Sequence, residues 1–430
     1  MDSNYLNDID DLPPPIPVSQ EEEQEQDITV LPVAIPVVVG TEEEEVVMDD
    51  SHLLKDEEKI NCLKQQGFTT GLAKALLQTC IKQHPLRIWV VDNSGSMIKD
   101  DGRRIVETQH KHNVKLVPCT RWSELQECVT YHAQIAALLN APTHFRLLNN
   151  PGISAGPQYF KVADDDGGGG GNNQAKAEME ASTAISIIRK VRPYGVTPLT
   201  EHVTDIYNTV SALAPTLRNT GQKVVIIFAT DGLPSDDQGH GGRFISDQFV
   251  QALRLLQSLP VWVVIRLCTN ENEVVRFYEE LDTTLELSVE VLDDFVDEAK
   301  EVHKHNPWLN YALPLHRCRE MGFHDRLFDL LDERTLTKAE LYQFCCLLFG
   351  GDLWDDGVPD PEIDWDGFTE HLESMLLSEE CQWSPISKKV GPWIDMKTLQ
   401  RTYGVNNGVN WKIITTVLLV VGVLISLFLK

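Results

Sequence analysis

Three short stretches of this chain are apolar at every position, and they restrict its fold more than any other feature. They are Ile88-Trp89-Val90-Val91, Val224-Val225-Ile226-Ile227-Phe228 and Val261-Trp262-Val263-Val264-Ile265. β-Branched and aromatic residues dominate them, with no polar alternation, so each reads as a strand covered on both faces. Strands of that kind sit in parallel sheets flanked by helices on either side. Segments of helical period follow them, at 122–140, 177–190, 200–213, 244–259, 274–281 and 293–305. Weaker strand signals lie at 143–148, 158–162 and 285–292. The alternation predicts an α/β fold with a doubly wound, mostly parallel sheet.

The first two runs stop abruptly on oxygen-bearing side chains. The first is followed by Asp92-Asn93-Ser94-Gly95-Ser96, and the second leads into Thr230-Asp231-Gly232. A third segment, Gly195-Val196-Thr197-Pro198-Leu199, presents a threonine just before a helix. Open α/β sheets place their sites at the carboxyl ends of the strands. A cluster of carboxylates and hydroxyls there suits a hard cation, which takes oxygen ligands.

The set Asp-x-Ser-x-Ser, Gly-x-Thr-Pro-Leu and Thr-Asp-Gly resembles the von Willebrand factor type A domain and its metal-ion-dependent adhesion site. The resemblance spans roughly the middle 60% of the chain, the scale of one large domain. It implies that Ser94, Ser96 and Thr197 contact Mg²⁺ or Mn²⁺ through their hydroxyls. Asp92 and Asp231 would bind directly or through water, and an Asp or Glu carboxylate from a partner protein would complete the octahedron. Few charged ligands leave such an ion electrophilic, which favours an incoming carboxylate. Val196 departs from the glycine often seen beside that threonine and stiffens the loop.

A second departure follows the two serines. Residues 99–120 intervene before the first long helix, and 103–107 with 114–117 read as a hairpin on the metal-bearing face. His110 and His112 in its turn lack companions at metal-binding spacing and read as solvated. A second insert, 163–174, is acidic and glycine-rich, a surface loop without the Gly-Lys-Ser/Thr ending of a phosphate cradle.

The whole chain divides into an acidic, proline-containing tail (1–55), an α/β domain with a helical lead-in (56–306, core 84–305), a helical domain (307–380), a linker (381–412) and an apolar span (413–429). Residues 1–50 hold no Lys or Arg and too little apolar surface to offset ordering entropy, so the tail is expected to be disordered. Gln66-Gly67-Phe68 in the lead-in is faintly similar to a ubiquitin-associated domain, but no third helix is evident before the first strand, and the lead-in is expected to pack on the α/β domain. The acidic loop at 352–366 fails the EF-hand register, because the final Glu position falls on Ile363.

The net charge of −28 argues against nucleic acid as a partner. Nine cysteines without a Cys-x-x-Cys pair, no glycosylation sequon and no amino-terminal apolar leader fit a cytosolic body. Residues 413–429 are uncharged, bounded by Trp411, Lys412 and Lys430, and long enough to cross a bilayer's apolar core. With only Lys430 behind it, the span is expected to be a tail anchor, leaving the body in the cytosol. Together these features predict a membrane-tethered protein that binds other proteins through a divalent-metal site. The competing expectations are a metal-dependent hydrolase, with Glu201 and His202 as its candidate bases, and an adaptor of the ubiquitin system.

Overall fold

The structure, a computed structural model, describes residues 55–404 apart from 109–112, 165–173, 286 and 351–357. The acidic tail, the polyglycine stretch, His110, His112 and the apolar stretch at 413–429 expected to span a membrane lie outside the described residues. Among the described residues, no helix is long and apolar enough to cross a membrane.

The chain enters through α1 (Asp56–Gln65), α2 (Thr70–Gln78) and a π-helical turn, Thr79–Gln83. Strand β1 (Leu86–Val91) follows, then a 3-10 turn at Gly95–Ile98 and the antiparallel hairpin of β2 (Gly102–Glu107) and β3 (Val114–Cys119). Helix α3 (Arg121–Leu139) leads to β4 (Thr143–Leu147) and β5 (Tyr159–Val162), and α4 (Gln174–Lys190) and α5 (Leu199–Thr220) lead to β6 (Val224–Thr230). After α6 (Arg243–Leu256) come β7 (Val261–Leu267), α7 (Asn272–Thr284), β8 (Val289–Leu292) and α8 (Phe295–His305).

Six strands make one sheet in the order β5-β4-β1-β6-β7-β8. All neighbours are parallel except β5, which runs against β4. From β1 the chain first steps outward through β4 to β5, then returns to β6 and steps the other way. The switch point therefore lies between β1 and β6, where doubly wound sheets open a crevice. Val91 pairs with Ala229 across that boundary, so Asp92 and Asp231 emerge almost side by side.

Each face of the sheet has its own apolar layer. Trp89, Val91, Ile227 and Val264 pack under α3 and α4. Ile88, Val90, Ile226, Phe228 and Val263 pack under α5, α6 and α7. β1, β6 and β7 are buried at every position, which is why they lack polar alternation. Each large apolar side chain removed from water there contributes about 1.5–3 kcal/mol.

The carboxyl-terminal helices are α9 (Leu313–Glu320), α10 (Arg326–Glu333), α11 (Lys338–Phe349) and α12 (Trp365–Leu376). They do not form a self-contained domain. Their core includes Leu63, Phe68, Leu72 and Leu76 of the lead-in and Ile135 and Leu139 of α3. Thr69 donates its hydroxyl to the carbonyl of Leu348, and a Cβ on Gly71 would lie 2.2 Å from the backbone nitrogen of Gly350. The lead-in thus joins the helical module more than the α/β core expected to receive it. Residues 381–404, expected as linker, form a hairpin of β9 (Gln382–Ser384) and β10 (Lys389–Gly391) and a final helix, α13 (Met396–Tyr403). Trp393, Ile394 and Leu399 are buried in the same core. Their apolar residues are too sparse to show a period, so composition alone read as linker.

The end of α9 grips the sheet. Arg87 of β1 donates through Nε to the Met321 carbonyl at 3.3 Å, and the His324 ring stacks on Trp262 at 3.8 Å. Gly322 (φ +78°) fits where a Cβ would lie 2.4 Å from Val225 Cγ1. Arg319 pairs with Glu290 of β8 at 2.7 Å and with Glu298 of α8 at 2.5 Å.

Candidate metal centre

Strand β1 ends where its amide ladder gives way to side chains. Asp92 is fully buried; its Oδ1 accepts the Ser94 backbone N–H at 2.8 Å and its Oδ2 accepts the Thr230 hydroxyl at 2.6 Å. The 3-10 turn then brings the Ser94 and Ser96 hydroxyl oxygens to 3.0 Å of each other. Ser96 Oγ donates to Asp231 Oδ1 at 2.7 Å. Four of the five expected residues are thereby linked across the β1–β6 boundary.

Thr197 approaches from the loop before α5 and is buried. Its amide donates to Ser235 Oγ at 2.8 Å, and its carbonyl accepts the Ser235 N–H at 2.9 Å. A Cβ on Gly232 would meet its hydroxyl oxygen at 3.7 Å, so that hydroxyl borders the end of β6. Asn149 fastens the loop. Its side chain donates to the Val196 carbonyl at 2.8 Å and accepts the Val196 amide at 3.2 Å. Asn93, between the two motif residues Asp92 and Ser94, accepts the Asn149 N–H at 2.7 Å and donates to the Asn149 carbonyl at 3.0 Å. Gly195 takes φ +90°, and a Cβ there would strike Asn149 Oδ1 at 2.4 Å. The glycine of the Gly-x-Thr motif is required by both constraints.

The sequence reading missed the cation in this site. Arg121 is buried and donates through Nη1 to Asp231 Oδ2 at 2.9 Å. Its other nitrogens bind Asp101 at 2.6 and 2.5 Å and Glu271 at 2.8 Å. Lys99 joins Glu271 at 2.6 Å. The 99–120 insert explains the arrangement. The Arg121 amide donates to the Lys99 carbonyl at 3.0 Å, so the hairpin's root returns the chain to where it left. Beyond the root, Ile105 and Leu116 pack toward the helical module, so the strands lie away from the metal site rather than over it. An isolated arginine opening a helix carries no signal until the turn is closed.

Asp92 and Asp231 are two buried carboxylates, and Asp231 is paired with the Arg121 guanidinium. Burial, reinforced by the Asp231 charge, pushes the Asp92 carboxyl up to about 6. Hydrogen bonds from Arg121 hold Asp101 below the usual carboxylate range, and those from Lys99 and Arg121 do the same for Glu271. An all-oxygen donor set with surplus buried negative charge fits Mg²⁺ or Mn²⁺, the ions of oxygen sites. The two candidate bases are not arranged around it. His202 is buried with Nε2 3.1 Å from the Leu148 carbonyl, and Glu201 is exposed on the first turn of α5.

No protein-family model matches the chain, and no curated protein matches it. Among solved structures it is similar to one described as the crystal structure of the SpRpn10 VWA domain, with 9% identity, 49% of this chain and 88% of that chain covered, and a TM-score of 0.29. A superposition that loose carries no weight for function.

Proposed function

We propose that this protein is a protein-interaction module that captures an acidic side chain of its partner through a divalent cation. Asp92, Ser94, Ser96, Thr197 and Asp231 would hold the ion, Mg²⁺ or Mn²⁺. The observation that carries this reading is the bond from Ser96 to Asp231 at 2.7 Å at the switch point of the sheet. It joins motif residues 135 positions apart in one oxygen cluster. The ion would supply a Lewis-acidic position for a carboxylate. This chain's residues bind it, fix the serine and threonine hydroxyls, and exclude water from the buried Asp92 side. Arg121 occupies Oδ2 of Asp231, which disposes that carboxylate toward an outer role and keeps the ion short of negative charge. Residues 413–429 would tether the module to a membrane, as their apolar composition supports.

The test uses the full chain in detergent as bait, with Mg²⁺ or EDTA, beside Asp92→Ala and Thr197→Ala. Partners retained with Mg²⁺ and lost in the other three conditions support the reading. An identical set of partners in every condition overturns it.

A further inference from the structure

A second cluster lies away from the oxygen site, where α9 meets α3. Cys128 and His132 are one turn apart on α3, and His316 and Glu320 are one turn apart on α9. All four are buried. A Cys-x-x-x-His pair thus faces a His-x-x-x-Glu pair; Cys128, His132 and Glu320 bring a thiol, an imidazole and a carboxylate together, and His316 stands beside Glu320. We propose that Cys128, His132 and Glu320 hold a structural zinc ion, with His316 moving in from beside Glu320 as the fourth ligand, and that the site clasps the helical module to the α/β core.

The spacing supports it. Ligand atoms of Cys128, His132 and Glu320 all lie within 4.8 Å of one another. Glu320 oxygens lie 3.3 Å from Cys128 Sγ, 3.0 Å from His132 Nε2 and 3.5 Å from His316 Nε2. Zinc bonds of about 2.0–2.3 Å in a tetrahedron give edges of about 3.3–3.6 Å. The His316 contact is long for a hydrogen bond to a buried carboxylate, and both it and the Cys128 contact are close to such an edge.

A second observation points to a guest. His316 Nε2 is buried, aims at Glu320 and has no hydrogen-bond partner. Its Nδ1 lies 3.3 Å from the Tyr311 hydroxyl, the outer contact that orients a metal-bound imidazole. A cavity of about 30 Å³, lined in part by Cys128, His316 and Glu320, adjoins the cluster and admits a water-sized guest.

Two guanidiniums also touch Glu320: Arg317 at 2.8 Å and Arg266 at 3.5 Å. Each has other support. Arg266 pairs with Glu124, and Arg317 lies 4.6 Å over the Tyr131 ring. As the sulfur–zinc bond forms, the Cys128 S–H bond breaks and its proton leaves to buffer. The thiolate then supplies one new negative charge against the dication, beside the Glu320 carboxylate that Arg317 also touches. With His316 in the fourth position no ligand site is open to substrate, so the role is structural.

The experiment is metal analysis of the full chain purified without chelator, with cobalt replacement read by absorption. The expected result is one zinc per chain, retained in Asp92→Ala and reduced at least tenfold in Cys128→Ala and His316→Gln. The cobalt form is expected to show thiolate-to-cobalt charge transfer, absent in Cys128→Ala. If the variants do not fold, zinc content and the cobalt spectrum of the unaltered protein decide. Zinc below about a tenth per chain, a cobalt form without the thiolate band, or zinc lost in Asp92→Ala overturns the proposal.

Discussion

Arg121 and Asp231 form a buried ion pair, with Nη1 2.9 Å from Oδ2, inside the cluster expected to hold a divalent ion. The guanidinium is a permanent positive charge beside a position meant for another. Replacing it leaves Asp231 unpaired, which costs about 3–5 kcal/mol when a buried pair loses one partner. The same change removes a like charge from the ion's surroundings. Arg121→Gln is therefore expected to melt lower without metal and to bind Mn²⁺ at least about tenfold more tightly, a gain of about 1.4 kcal/mol. Calorimetric titration and melting with and without metal check both halves. Equal or weaker Mn²⁺ binding in a folded variant would contradict this account of Arg121.

Gly195 controls the Thr197 loop. An alanine there meets both a positive φ and Asn149 Oδ1 at 2.4 Å. Gly195→Ala should cost about 1–3 kcal/mol of stability and detach the loop from Asn149. Mn²⁺ affinity should fall with it, while Gly221→Ala, also at positive φ but in open space, should spare the metal. If Gly195→Ala keeps full Mn²⁺ affinity, the loop is not what positions Thr197.

Gly322 brings α9 onto the sheet. Its missing Cβ is replaced by Val225 Cγ1, 2.4 Å from where it would stand. Overpacking in such a contact costs about 1–3 kcal/mol, and the φ of +78° adds strain. Gly322→Ala should lower the urea midpoint, and adding Val225→Ala should recover part of the loss. Strictly additive losses in the double variant would show that the two residues do not meet as described.

His84, just before β1, sets an acid limit. Burial, with the nearby charge of Arg87, lowers its imidazole to about 3. The unfolded chain then binds a proton below about pH 6.5 that the folded chain refuses. This contribution is present above the unfolded value and is lost as pH falls. Between pH 6.5 and 5 it amounts to about 2 kcal/mol. Urea unfolding at the two pH values should show that loss, and His84→Gln should remove most of it. An unchanged slope in His84→Gln would assign acid sensitivity elsewhere.

Much of the sheet was readable one residue at a time. β1, β6 and β7 announce themselves because a strand buried on both faces leaves no room for polar alternation. The hairpin at 102–119 was equally local, since its strands and turn are neighbours in sequence. The five oxygen-bearing residues were legible because short motifs end β1 and β6 and open the helix α5. Their joining was not, because it depends on β1 and β6 being neighbours despite the strands and helices between them.

What the sequence determined by itself was therefore local: which runs are buried, where they stop, and which side chains stand at those stops. Tertiary structure alone decided what those side chains meet. Arg121 reaches Asp231 only because the hairpin root closes on Lys99. Glu320 meets Cys128 and His132 only because Gly322 lets α9 lie against β6. Residues 381–404 belong to the core only because Trp393 and Leu399 find a cavity that α1, α2 and α8–α12 build together. Burial energy is collected across elements far apart in the chain, so no single window of sequence contains it.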